Sequence, residues 1–149
     1  MDSGRPVNTP LGSRLGYLLV RSALRVRQRY VNELSAIGLL PNQHAILSAL
    51  HELGPCHQKE LAARIGLDTG DIVAYLDGLD ADGHIVRKRD PADRRRQIVS
   101  VTPAGSKILA VADQALDAVE ADTFGCLTRA ERKAFGQSLD KLYGSLVSQ

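Results

Sequence analysis

Residues 87–105 read RKRDPADRRRQIVSVTPAG. Arg87, Lys88, Arg89, Arg94, Arg95 and Arg96 crowd around an Asp90-Pro91 pair, with Asp90 and Asp93 as the only acids in the run. Proline presets φ for a turn and aspartate hydrogen-bonds its own following backbone, so this pair predicts a reversal of the chain. The residues after it alternate, Ile98 and Ser100 against Val99 and Val101, which is the period of a half-buried strand. Residues 85–88 and 97–101 are therefore expected as two strands of a hairpin with a charged tip. Thr102 is placed to cap the next helix and Pro103 to take its first position.

Outward from the hairpin the pattern becomes helical. Before it, Ile72, Tyr75, Leu76 and Leu79 follow i, i+3, i+4, i+7 spacing, predicting a helix over residues 69–82 that Gly83 closes. Asp68 is its expected N-cap and Asp71 stands in its first turn, both able to meet free backbone N–H groups. A short helix over residues 58–65 buries Leu61, Ala62 and Ile65. Another starts near Pro41, with Ala45, Ile46, Leu50 and Leu53 inward and Gly54-Pro55 as its stop. Residues 11–36 carry Leu15, Leu18, Leu19, Ala23 and Val26 as one stripe of a long amphipathic helix whose other side is an arginine series. After the hairpin, a helix reaches about residue 123 with Ile108, Leu109, Ala112, Leu116 and Val119 inward. Thr128 and Glu131 form a capping box for a last helix carrying Phe135, Leu139, Leu142 and Leu146. The fold class expected is mainly α with a small β-hairpin wing: a winged helix-turn-helix between N- and C-terminal dimerisation helices. The apolar stripes of the terminal helices exceed what a small central lobe covers, which points to a homodimer joined through them.

The chain has 149 residues and 44% hydrophobic content, enough for one domain with a real core. Its net charge of +2 is small, so the distribution of charge carries the information. Arg14, Arg21, Arg25, Arg27 and Arg29 occur without an intervening acid, and the hairpin is basic, whereas residues 68–82 hold five aspartates and no Lys or Arg. Cys56 and Cys126 make no CxxC pair, which fits a reduced, cytoplasmic setting. Pro6, Asn8 and Pro10 interrupt any leader, and no run approaches a membrane span. Residues 1–10 read as a loose arm and 11–149 as the folded domain, with 11–37 and 103–147 as dimerisation helices and 41–101 as the lobe. No Ser-His-Asp set, P-loop or HExxH pattern supports an enzyme, and nothing calls for a cofactor.

The runs Leu61-Ala-Ala-Arg-Ile-Gly-Leu67, Leu79-Asp-Ala-Asp-Gly83, Ile85-Val-Arg87, Asp90-Pro-Ala-Asp93-Arg-Arg95 and Val101-Thr-Pro-Ala-Gly105 resemble the MarR family of winged-helix transcriptional regulators. The likeness extends over residues 11–146. It implies a homodimer on a palindromic operator, with the first, fifth and sixth helices as the dimer base. It also implies a wing tip in which Asp93 fixes the hairpin and Arg95 reaches the minor groove, and release from DNA by small anionic aromatic compounds or by oxidation. The sequence departs from the family's common residues at Asp71, Ala74 and Gly78.

In a helix-turn-helix, the outward positions of the helix over 69–82 enter the major groove. These are Thr69, Gly70, Val73 and Ala74, with Asp77 further along; they are small, permitting close approach and thymine-methyl contact but no bidentate arginine on guanine. Asp68 and Asp71 either cap the helix or accept from a cytosine amino group, and Asp80 and Asp82 read as solvated surface. Gln58 and Lys59 are expected phosphate contacts. Asp93, Arg94, Arg95 and Arg96 form the wing contact, the alternative for Arg94 and Arg96 being a solvated hairpin and for Arg87 a carboxylate inside the lobe. An effector crevice would draw on Tyr17, Arg21, Arg25, His44 and His51. Metal sensing through His44, His51, Cys56 and His57, redox sensing at Cys56 or Cys126, and a dimeric interaction module with weakened DNA readout are the competing readings.

Overall fold

The structure is a computed structural model and describes residues 10–149; the arm expected over residues 1–10 lies outside the described residues except for Pro10. The elements in order are α1 (Leu15–Ser35), α2 (Pro41–Leu53), β1 (Cys56–His57), α3 (Gln58–Ile65), α4 (Asp71–Ala81), β2 (Ile85–Arg89), β3 (Gln97–Val101), α5 (Pro103–Thr123) and α6 (Arg129–Val147). The chain divides into two compact units, one ending at Leu116 and the other spanning Asp117–Gln149.

In the first unit, the hairpin strands pair antiparallel from Ile85 opposite Val101 to Arg89 opposite Gln97. The hairpin is one part of a three-stranded sheet in the order β1-β3-β2, because Cys56 and His57 pair with Val99 and Ile98. This third strand is an addition to the two-stranded wing that the residue pattern predicts. Two residues carry no period of their own, and only the long-range partner makes them a strand.

The core gathers Leu34 from α1, Ile46, Leu47 and Leu50 from α2, Leu61 from α3, Ile72, Leu76 and Leu79 from α4, Ile85 and Val99 from the sheet, and Leu109, Ala112 and Leu116 from α5. Full burial of each large aliphatic side chain contributes roughly 1.5–3 kcal/mol. On α2 Ile46 and Leu50 are buried as expected, but Leu47 and Ala49 join them, while Ala45 is half-buried and Leu53 is exposed. Buried Gln43 satisfies both ends of its amide, its Oε1 accepting from the Leu40 N–H at 3.0 Å and its Nε2 donating to the Tyr75 carbonyl at 3.4 Å. It thereby joins the start of α2 to the body of α4.

Helix α4 begins later than expected. Its N-cap is Gly70, with no side-chain cap hydrogen bond, and Asp68 is not the cap. Gly70 already has helical dihedrals and the Asp68 carbonyl accepts from the Ile72 N–H at 3.2 Å, so Asp68 stands two residues before the cap position. At the other end Gly83, with φ +76°, makes the left-handed turn into β2. Thr102 acts as expected: its Oγ1 accepts from the Gly105 N–H at 3.0 Å and donates to the Gly83 carbonyl at 2.6 Å.

In the second unit the Thr128 and Glu131 capping box is complete, and the rings of Phe124 and Phe135 lie 6.2 Å apart. None of the residues of α6 is buried; Phe135, Leu142, Tyr143 and Leu146 are all exposed in the single chain. On α1 only Leu34 is buried, while Leu15, Leu19, Val20 and Leu24 are exposed. Among the described residues no helix is long and apolar enough to cross a membrane.

Candidate nucleic-acid interface

The wing tip is built from its own backbone and two aspartates. The Asp90 N–H donates to the Arg96 carbonyl at 2.9 Å and the Arg96 N–H to the Asp93 carbonyl at 3.0 Å. Asp90 Oδ1 accepts from the Ala92 N–H at 2.9 Å, the aspartate turn that the residue types predict. Asp93 Oδ1 accepts from both the backbone N–H and Nε of Arg95, each at 3.2 Å. Arg89 Nη1 donates to the Arg94 carbonyl at 2.8 Å, bracing the loop from the strand behind it. Because the loop is held by backbone and carboxylate groups, the Arg95 side chain is left 91% exposed at its crest. Arg96 is half out, with its Nη2 3.6 Å from Glu60.

A groove of about 360 Å³ opens between this wing, the start of α3 and the turn before α4. It is lined by His57, Gln58, Lys59, Thr69, Arg89, Arg95, Arg96 and Gln97, a set without one carboxylate. Five of the expected contact residues, Gln58, Lys59, Thr69, Arg95 and Arg96, therefore meet at one place. Gly70, Val73 and Ala74 are exposed on the adjoining turn and helix face, and Arg94 is exposed on the wing. Arg89 and His57 were not legible as site residues. Arg89 reads as one more cation in a basic run, and His57 reaches the groove only through the pairing of β1 with β3.

The acidity of α4 is partly cancelled from within the lobe. Arg87 of β2, only 19% exposed, places Nη1 2.8 Å from Asp77 and Nη2 3.0 Å from Asp80. Asp80 is thus ion-paired and not simply solvated, and the carboxylate expected as an alternative partner for Arg87 is supplied twice. Partial burial lowers the Arg87 pKa, but the hydrogen bonds it donates to Asp77 and then Asp80 outweigh it and hold the guanidinium above its ordinary value. Arg87→Ala is expected to weaken duplex binding about tenfold, because it leaves two unscreened carboxylates on α4. Arg87→Lys should recover part of that loss in a binding titration, and unchanged affinity for Arg87→Ala would remove Arg87 from the interface.

His57 stands at the N-cap position of α3 and makes no cap bond. Its Nδ1 lies 2.8 Å from Glu60 Oε1 and its Nε2 2.7 Å from Asp90 Oδ2. The hydrogen bonds to Asp90 and then Glu60 raise its pKa above 6.5, against desolvation and the charge of Arg96, while the bond from His57 lowers that of Asp90 below 3.8.

The residues expected around an effector are spread over two helices. Tyr17 is half-buried and Arg21 and Arg25 are exposed on α1; His51 is exposed near the end of α2. His44 Nε2 is engaged at 2.8 Å by Asp113 of α5. Cys56 is buried, and desolvation followed by the charge of Glu60 raises its thiol pKa, the opposite of the lowering that its place before a helix suggests. Cys126 is exposed. Among the described residues no three His, Cys, Asp or Glu side chains converge as a metal site.

The profile of the MarR family matches residues 37–96, which run from the turn after α1 to the wing. The HTH-type transcriptional regulator YcgE of Bacillus subtilis is 38% identical over 72 residues, 48% of this chain, and the match spans 47% of YcgE, less than half its length. The solved structure of the transcriptional repressor CouR bound to a 23-mer DNA duplex is similar with a TM-score of 0.85 and 32% identity, over 89% of this chain and 94% of CouR. Bordetella bronchiseptica BpsR, a protein whose DNA binding is regulated by 6-hydroxynicotinic acid, is similar with a TM-score of 0.80 and 27% identity, over 87% of this chain and 98% of that one. With the winged lobe, the wing motif and a relative alike over nearly its whole length, the chain belongs to the MarR family of DNA-binding transcriptional regulators.

Proposed function

We propose that this chain is a cytoplasmic repressor that acts as a homodimer on a palindromic operator and is released by a small anionic aromatic effector. The observation that carries the DNA reading is the groove between α3, the start of α4 and the wing. Lys59, Arg89, Arg95 and Arg96 converge there with no acid in the lining, which suits a duplex phosphate path beside a minor groove. In this reading Gln58 and Lys59 set register on phosphates, and Thr69, Gly70, Val73 and Ala74 approach bases in the major groove. Arg94, Arg95 and Arg96, positioned by Asp93, grip the neighbouring minor groove.

The uncovered apolar faces of α1 and α6 support the dimer, since exposed large side chains recur along both helices. CouR, a repressor bound to DNA, supports the direction of regulation. BpsR supports control by a small aromatic acid, with Tyr17, Arg21, Arg25, His44 and His51 as the residues to probe. A redox switch at Cys56 is disfavoured by its burial and raised thiol pKa.

The test is affinity for fragments selected from the source genome, measured against salt. Each phosphate neutralised contributes about −0.9 to the slope of log K against log salt, so the groove cations of two lobes together predict a slope approaching about −7. A dimeric interaction module that has lost DNA readout predicts a slope shallower than about −2 and no preference over random duplex. That result would overturn the proposal.

A further inference from the structure

We infer that His57 is a positioning residue for operator binding: as an imidazolium it joins the helix-turn-helix to the wing, and binding of the duplex takes up protons there. This rests on the DNA reading above and deepens it.

The argument is geometric. Both ring nitrogens of His57 face carboxylate oxygens, Nδ1 towards Glu60 on α3 and Nε2 towards Asp90 on the wing, at 2.8 and 2.7 Å. A carboxylate only accepts, so both contacts need an N–H donor. Neutral imidazole has one N–H and the imidazolium has two, so only the charged ring satisfies both partners. Loss of the proton sets a lone pair against one carboxylate and opens one side of the link.

Asp90 is the hinge through which this acts. Its second oxygen accepts from the Ala92 N–H and its own N–H donates to the Arg96 carbonyl, so its position sets the loop that carries Arg94, Arg95 and Arg96. The charged groups facing His57 are Glu60 on α3, and Asp90 and Arg96 on the wing; Lys59, Arg89 and Arg95 share the groove. On its own strand the neighbour is the neutral thiol of Cys56, and its partner on β3 is Ile98. A phosphate entering the groove brings a negative charge beside His57 and further favours the imidazolium.

The sign follows. The folded His57 pKa is raised above 6.5, so its contribution to holding the wing is complete below about pH 6.5 and is lost as pH rises through the folded value. The folded Asp90 pKa is lowered below 3.8, so its contribution is present above about pH 3.8 and is lost as pH falls through the folded value. The link is complete between these limits, and operator affinity falls on the alkaline side.

The experiment measures affinity of the full-length protein for its selected operator at constant ionic strength, from about pH 6 to about pH 9, for the wild type and His57→Gln. The wild type is expected to lose up to about tenfold per pH unit per lobe where His57 titrates, and His57→Gln to give a flat profile. NMR titration of the His57 ring in the wild type supplies a second measurement that needs no variant. Its midpoint is expected above 6.5 and should rise when the duplex is added. Equal pH slopes in the two proteins, or a midpoint that the duplex leaves unmoved, would overturn the inference. A wild type with steep salt dependence and no pH dependence sinks His57 alone; one with neither sinks the DNA reading and this inference together.

Discussion

Arg95→Ala is expected to cost this regulator most of its operator affinity and almost none of its stability. The Arg95 side chain is 91% exposed, and its only ion pair among the described residues is the 3.2 Å contact of Nε with Asp93. An exposed pair of this kind contributes at most about 1 kcal/mol to folding, and Asp93 keeps the Arg95 backbone N–H after truncation. The loop therefore retains its shape while its crest loses a guanidinium. In a minor groove that group is worth roughly 1–2 kcal/mol. With one wing in each half of a dimer, affinity should fall about 30-fold to about 900-fold, and the salt slope should become shallower by about 2. Arg95→Lys retains the charge without the planar fork and should lie between. Fluorescence anisotropy on the selected operator at several salt concentrations, beside a thermal melt, separates the two effects. Unchanged affinity with an unchanged melt would remove the wing crest from the interface.

The largest expected effect on stability comes from the smallest change, Gly105→Ala. A Cβ at position 105 would lie 2.0 Å from the His84 carbonyl oxygen and 2.8 Å from Val101 Cγ2. The first obstacle is backbone, and it is fixed: that carbonyl accepts from the Thr102 N–H at 3.0 Å, beside the Thr102 hydroxyl bond to Gly83. Relief requires the start of α5 to move away from the entry to β2, which breaks the junction that joins wing and helix. Alanine's better helix propensity, about 1 kcal/mol over glycine, does not offset this. A loss of about 3 kcal/mol is expected, lowering Tm by roughly 6–12 °C. Calorimetry or a circular dichroism melt checks it; a variant as stable as the wild type would mean that α5 can shift freely at its start. Gly105 thus has a packing reason for its place in Val101-Thr-Pro-Ala-Gly105, separate from any role on DNA.

Where a feature depends on residues close in sequence, it was readable from them. The strand over Gln97–Val101, the Thr102 cap with Pro103, and the Thr128 and Glu131 box each depend on neighbours within four residues, and all occur as expected. The same locality explains the misplaced start of α4. An aspartate before a helix is a common cap, and nothing nearby records that Gly70 has already entered helical geometry. Ile46 and Leu50 of α2 are inward as expected, but Leu53 was expected there in place of Leu47, because the two are equivalent in type and differ only in what packs against them.

The site divides along the same line. The cations of the wing and the Asp90-Pro91 turn were legible from composition, and so were the apolar stripes that α1 and α6 leave exposed. What only the tertiary structure decided is which charges meet. Arg87 finds Asp80 seven residues back and His57 finds Asp90 33 residues on, and β1 exists only because β3 offers it a ladder. The sequence by itself determined the helices, the hairpin and the sign of the charge each carries, because periodicity and capping are local. Pairing across the sheet decided that the basic loop, the start of α3 and the turn before α4 share one groove, because hydrogen-bond register between distant strands leaves no mark on the residues between them.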